Sequence, residues 1–231
     1  MRPALSATAL KWIAVVSMIV DHTIELCCHG TPLFTALGMI GKVAAPIMFF
    51  LVAEGYRHTK DIGKYMIRLF VAGVISQFPF SMYVNRGVFL PFCANIMFTL
   101  LLSLVCLHIY RKEEICSVKC SVIFLLMLLS YFCDWGIFGI AFALSFGIFE
   151  DRTKQLLAYL AVNTIKVATI YLLYGSGEEL LAYTISPIVV TLLLSIYNEK
   201  KGGCRHKWLF YAIYPLQFLT IYGAWHLTGG V

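Results

Sequence analysis

Long apolar runs separated by short polar clusters fill the chain from one end to the other. Each run approaches the roughly 20 residues an α-helix needs to cross a hydrocarbon core. The pattern predicts about nine helical spans, near residues 6–28, 33–56, 64–84, 88–110, 117–133, 135–149, 154–174, 180–197 and 207–227. Residues 117–149 are too long for one helix and are broken at Asp134-Trp135-Gly136. Two short or tilted spans with that tripeptide at a membrane face fit the break. One bent helix plus a re-entrant segment is the other arrangement it allows. A transmembrane barrel is excluded, because its strands read as short alternating segments.

Composition sharpens the class. Of 231 residues, 60% are hydrophobic and 13% charged, with mean hydropathy +0.82, against about 45–50% apolar and 25% charged in soluble domains. The expected fold is an all-α, polytopic helical bundle forming a single transmembrane domain over 1–231, with no room for a soluble catalytic domain. The net charge of +6 points to membrane orientation rather than to nucleic acid, because of where it sits. Arg57, Lys60 and Lys64 follow the second span, and Arg111, Lys112 and Lys119 follow the fourth. Arg152 and Lys154 follow the sixth, and Lys200, Lys201, Arg205 and Lys207 the eighth. The alternate loops carry almost none, Arg86 being the exception. By the positive-inside rule the N-terminus is cytoplasmic, the C-terminus is outside, and a bacterial cytoplasmic membrane is the expected location. The first span lacks an A-x-A-type cleavage site, so it reads as a helix of the bundle.

Polar residues inside the spans mark the candidate chemistry. An ionised Asp at the centre of a membrane helix costs roughly 2.5–3.5 kcal/mol on insertion scales. Asp21 and His22 occupy the outer part of the first span, and Lys42 lies at a similar depth in the second. Gln77, Asn95 with Thr99, and Asp134 fall at the same level in the third, fourth and fifth. Adjacent helical residues diverge by about 100°, so Asp21 cannot simply orient His22. The expected arrangement pairs Asp21 with Lys42 across an antiparallel hairpin and turns His22 to a central cavity. A structural ion pair beside a packed histidine is the plainer alternative.

Other polar residues carry less. Glu54, Arg57 and His58 form a cluster at the cytoplasmic end of the second span, suited equally to an interface and to a ligand. Lys166, mid-way along the seventh, suits either snorkelling or a phosphate. His108, His206, Trp225 and His226 read as interfacial. Cys27, Cys28, Cys93, Cys106, Cys116, Cys120, Cys133 and Cys204 form no CxxC, and the histidines lack zinc spacing, so no metal site is expected.

Several segments in order carry a resemblance. They are Met18-Ile19-Val20-Asp21-His22, Gly41-Lys42-Val43-Ala44-Ala45-Pro46 continuing to Leu51, and Glu54-Gly55-Tyr56-Arg57-His58-Thr59. After these come Lys64-Tyr65, Arg68-Leu69, Ser76-Gln77-Phe78-Pro79-Phe80, Asn95, Phe98-Thr99-Leu100 and Asp134-Trp135-Gly136. Tyr197-Asn198, Phe210-Tyr211 and Tyr214-Pro215-Leu216 close the set. The chain resembles the TraX family, membrane proteins named for a conjugal-pilin acetylation factor. Lys42 stands where the family pattern has Arg, which loses the bidentate fork, and Gln217 stands where it has His.

The resemblance implies a membrane acyltransferase that takes its acyl group, acetyl above all, from cytoplasmic acyl-CoA. His22 is the candidate general base, with Asp21 and Lys42 completing the catalytic set. Lys42, Gln77 or Asn95 would supply oxyanion donors, and Gln77, Asn95 and Asp134 are assigned to the acceptor. Arg57, His58, Lys60 and Arg68 are assigned to the CoA phosphates, although the same charges obey the positive-inside rule. The acceptor is a small molecule, peptide or glycan with an amine or hydroxyl, reached from outside or from the surrounding lipid. Two rival classes stand beside this reading. One is a small transporter or proton-coupled carrier, with Asp21, His22 and Asp134 as a relay. The other is a non-enzymatic accessory protein of a conjugation or secretion system.

Overall fold

Pro46 divides what the hydrophobic pattern predicts as one second span. Proline has no N–H and crowds the carbonyl four residues earlier, which here belongs to Lys42. The helix therefore stops at Lys42, whose N–H reaches back to the Gly38 carbonyl at 2.9 Å, and restarts at Ala44. The 33–56 span is thus two helices joined at the lysine that sequence reasoning singled out.

The computed structural model describes residues 5–27, 31–90, 93–200, 202–203 and 207–228. Cys28, Lys201, Arg205, His206 and Cys204 lie outside the described residues. In chain order the helices are α1 (Ala7–Cys27), α2 (Pro32–Gly41), α3 (Ala44–His58), α4 (Ile62–Val84) and α5 (Ile96–Lys112). Then come α6 (Cys116–Leu129) with a 3-10 turn at Ser130–Phe132, α7 (Gly136–Ile148), α8 (Arg152–Tyr174), α9 (Glu178–Ser195) and α10 (Lys207–Leu227). The described residues contain no strand, only the isolated bridges Leu5–Tyr197 and Ala94–Cys133. Each expected span thus has its helix. Four stretches are long and apolar enough to cross a membrane: Ala7–Cys27, Leu33–His58, Ile62–Val84 and Arg152–Tyr174. The apolar helices Cys116–Phe132, Gly136–Ile148 and Leu180–Ser195 are shorter.

Two boundaries move for local reasons. The fourth span was expected from residue 88, but α5 starts at Ile96 because the Asn95 side chain accepts from the Met97 N–H at 3.0 Å and caps the helix there. The break at Asp134-Trp135-Gly136 is a two-residue reversal, Trp135 at φ 65° and Gly136 at φ 44°. Tryptophan in the left-handed region is uncommon; its ring packs against Phe49 and Phe142, at 6.4 and 6.2 Å between centroids.

The chain resolves into two compact units, residues 1–48 with 160–231, and residues 49–159. In the first unit α1 packs on α2 and α10, and α2 packs on α9. The start of the chain is clipped to the segment after α9: Leu5 bonds Ile196 at 3.1 Å and Asn198 at 2.9 Å. That puts the N-terminus and the loop rich in Lys and Arg on one face, as the charge pattern predicts. In the second unit α5 is central, packed by α4, α6 and α7. Its core is aromatic, with the Phe142 and Phe146 rings each 5.1 Å from that of Tyr159.

Candidate functional site

In the first unit, α1 and α2 meet at a glycine. A Cβ on Gly41 would lie 2.9 Å from the Asp21 Cα, so no larger residue fits between the two backbones. This contact, and the helix end that Pro46 imposes at residue 42, bring the Lys42 ammonium onto the Asp21 carboxylate. Its Nζ is 3.0 Å from Oδ1 and 3.3 Å from Oδ2. The side chains are only 11% and 19% exposed, so bulk water screens the pair poorly.

His22, one residue on, points elsewhere, as the 100° step requires. It was expected to face a central cavity; instead its ring packs on Phe218 of α10, 4.6 Å between centroids. The Gln217 amide approaches the imidazole as well. Beyond that ring, neither Gln217 Nε2 nor Oε1 has a hydrogen-bond partner, and the residue is buried. An amide so placed can fix which imidazole nitrogen carries the proton. Sequence reasoning had set Gln217 aside because it departs from the TraX pattern, yet it sits at the candidate base.

Tyr183 was not singled out in the sequence, and it joins the same cluster. Its ring lies 5.5 Å below the Lys42 Nζ and 3.9 Å below that of Lys166, itself buried on α8. The Tyr183 carbonyl has lost its helical donor, because the residue four later is Pro187. The Asn163 Nδ2 supplies a donor at 3.1 Å. The proline was the signal in the sequence that this turn of α9 needs an outside partner.

The second unit holds the remaining candidates. Asn95 Nδ2 donates to the Gly73 carbonyl and to Gln77 Oε1, both at 2.8 Å, and Gln77 Nε2 donates to the Cys93 carbonyl at 2.7 Å. Thr99 Oγ1 donates to the Asp134 carbonyl, and the Asp134 N–H donates to the Ala94 carbonyl at 2.7 Å. The amide donors of Gln77 and Asn95, expected to serve an oxyanion or acceptor, are consumed by the irregular backbone before α5. Asp134 anchors the α6–α7 reversal through its main chain.

At the other end of this unit, Arg57 donates to Glu54 Oε1 at 2.5 Å, to the Phe146 carbonyl, and to the Phe149 carbonyl at 2.8 Å. Arg111 donates to the Gly147 carbonyl at 3.0 Å. Both guanidiniums cap the C-terminus of α7, where orphan carbonyls and the negative end of the dipole collect. Arg57, expected to meet CoA, is therefore engaged by the protein itself. His58 Nε2 lies 3.7 Å from Glu54 Oε2 and is half exposed. Lys60 is exposed, Lys64 pairs with Asp61 at 3.1 Å, and the Arg68 guanidinium stands 5.6 Å over Tyr65.

Comparison with known proteins bears on the ordered motifs that carry these side chains. The family described as TraX protein matches residues 6–224. The chain belongs to the TraX family. A curated relative, from Dichelobacter nodosus, is 29% identical over 95% of each chain and is called probable fimbrial assembly protein FimC, serogroup H1. No solved structure matches. Both Asp21 and Lys42, and both Asn95 and Asp134, thus fall within the stretch the TraX model covers. This TraX chain is a membrane protein by its helices.

Proposed function

We propose that this TraX-family protein is a membrane acyltransferase, moving an acyl group, acetyl above all, from cytoplasmic acyl-CoA to an amine or hydroxyl acceptor in or across the bacterial cytoplasmic membrane. The observation that carries the reading is the ion pair of Lys42 and Asp21 beside His22, with Gln217 aimed at the imidazole. Hydrolytic or transfer chemistry at a thioester needs a base that is neutral near pH 7, and imidazole supplies one.

In the proposed step an imidazole nitrogen of His22 takes the proton from the acceptor N–H or O–H as the new C–N or C–O bond forms. The C–S bond breaks, and the same proton passes to the departing thiolate. Lys42 donates to the oxyanion while Asp21 keeps its ammonium charged and aimed. Gln217 holds the ring in one tautomer. Lys60, Lys64 and Arg68 are the cations left for the CoA phosphates once Arg57 is assigned to α7. Gln77, Asn95 and Asp134 then serve the fold around the α5 N-terminus, and His58 retains a place beside the CoA-facing charges.

Membranes containing the protein, given labelled acetyl-CoA, are expected to label a lipid, peptide or sugar acceptor. His22→Ala should abolish that labelling while the helical content and melting profile stay near wild type. Labelling retained in His22→Ala removes the imidazole from the mechanism. A second reading is favoured by the relative named as a fimbrial assembly protein: an accessory factor of pilus or fimbrial assembly without chemistry of its own. It predicts that pilin keeps the same mass with or without the protein, whereas acyl transfer to pilin adds about 42 Da per acetyl group. Uptake of a solute by proteoliposomes without any acyl donor would favour a transporter instead.

A further inference from the structure

Lys166 plays no part in the acyl-transfer proposal, yet the first unit brings it to Lys42 over one aromatic ring. The two ammoniums stand 3.9 and 5.5 Å from the Tyr183 centroid, and both lysines are buried. Like charges brought together in a poorly screened place repel, and the ring face answers each only in part. Asn163, one turn before Lys166, ties α8 to the Tyr183 carbonyl and so fixes the ring under the lysine. The arrangement is held from both helices.

Its surroundings identify the occupant. Ile165 beside Lys166 is 61% exposed, and Leu181 and Ile188 on α9 are similarly open, so the flanks of the cluster are apolar and lipid-facing. Tyr171 and Tyr174, strongly exposed near the end of α8, have the character of an interfacial aromatic belt. Lys166 lies five residues before Tyr171, about 7.5 Å along the axis, and a lysine stem leans toward the headgroup level. A water-borne anion would have to cross apolar surface to arrive there; a lipid carries its phosphate to that depth. We propose that Lys166 and Lys42, over Tyr183, bind the phosphate of an anionic lipid headgroup entering from the bilayer beside α8 and α9. This site is independent of acyl transfer.

The test uses the full chain in mixed micelles of phosphatidylglycerol and phosphatidylcholine, with bound lipid counted by native mass spectrometry. Wild type is expected to retain phosphatidylglycerol preferentially. Lys166→Gln should lower that preference about fivefold, the effect of one cation near the membrane surface. Lys166→Arg should keep it, as should Lys154→Met, which removes an exposed lysine from the start of the same helix. His22→Ala should also keep it, so failure of the acyl-transfer reading leaves this one standing. Equal retention by Lys166→Gln and wild type overturns the proposal. So does loss of the preference on adding inorganic phosphate, which would make the ligand a free anion. Should Lys166→Gln fold poorly, Tyr183→Leu provides the second variant: an unchanged preference there, in a folded protein, overturns the shared-ring site.

Discussion

The two units treat buried polarity differently. In the first, the polar side chains are ionisable and meet other side chains: Lys42 meets Asp21, His22 meets Phe218 and Gln217, and Lys166 meets Tyr183. In the second, the buried donors end mostly on backbone carbonyls, those of Gly73, Cys93, Asp134, Phe146, Gly147 and Phe149. A donor on a carbonyl satisfies a group that cannot be left orphaned in an apolar medium. It has little freedom left for a substrate. An ion pair between side chains leaves groups that can change partner or charge during a reaction. The difference separates candidate chemistry from scaffolding in residues that look alike in the sequence.

The largest expected effect tests the first half of that contrast. Lys42→Met leaves the Asp21 carboxylate without its partner, and breaking a buried pair in this way costs about 3–5 kcal/mol. Stability in detergent or nanodiscs, followed by chemical or thermal denaturation, should fall accordingly. Adding Asp21→Asn to Lys42→Met should recover much of the loss, because the stranded charge is gone. Activity should not return. If the double variant is as active as wild type, the pair is structural and the contrast fails.

The second unit offers two comparisons of intermediate size. Arg57→Lys keeps the charge but cannot reach Glu54 and two carbonyls of α7 together. A loss of about 1.5–3 kcal/mol is expected, with KM for acyl-CoA unchanged in the folded fraction. A selective rise in KM would return Arg57 to the CoA site. Asn95→Ala removes the α5 cap and strands the Gly73 carbonyl, for about 1–3 kcal/mol. Its activity should track the folded fraction; loss of turnover in fully folded protein would make Asn95 an acceptor residue after all.

Most of the fold was legible because membrane helices satisfy their own backbone and announce themselves by length and apolarity. The Asp21–Lys42 pair was legible too, since two opposite charges at one depth on adjoining helices have few other partners. What remained hidden was decided by the backbone at prolines and by contacts distant in sequence. Pro46 ends α2 at Lys42, and Pro187 exposes the Tyr183 carbonyl to Asn163, but an apolar run shows neither effect unless the carbonyl four residues before each proline is followed. Arg57 looked like a phosphate ligand because charge alone does not reveal that the end of α7, about 90 residues later in the chain, needs capping. The Gln77 and Asn95 amides lie at the expected level in the sequence, yet only the structure shows their donors already used.

The smallest effect lies outside the bundle and marks the floor of the comparison. Asp61 caps α4: its Oδ1 accepts from the Lys64 N–H at 2.9 Å, while the Lys64 ammonium lies 3.1 Å from Oδ2. The backbone hydrogen bond, first, and the lysine side chain, second, lower its pKa below the ordinary value of 3.8. A lowered carboxylate pKa means the cap stabilises the helix start above the unfolded value and loses that contribution as pH falls through the folded one. Hydrogen exchange at the first amides of α4 should therefore quicken, relative to the intrinsic rate, as pH drops below about 3.8, and Asp61→Asn should flatten that dependence. Because Asp61 is exposed, its effect should also shrink in high salt, whereas the Lys42–Asp21 pair should hardly respond. Equal salt sensitivity in the two pairs would mean that water reaches the first unit's site freely, and the distinction between its chemistry and surface electrostatics would be lost.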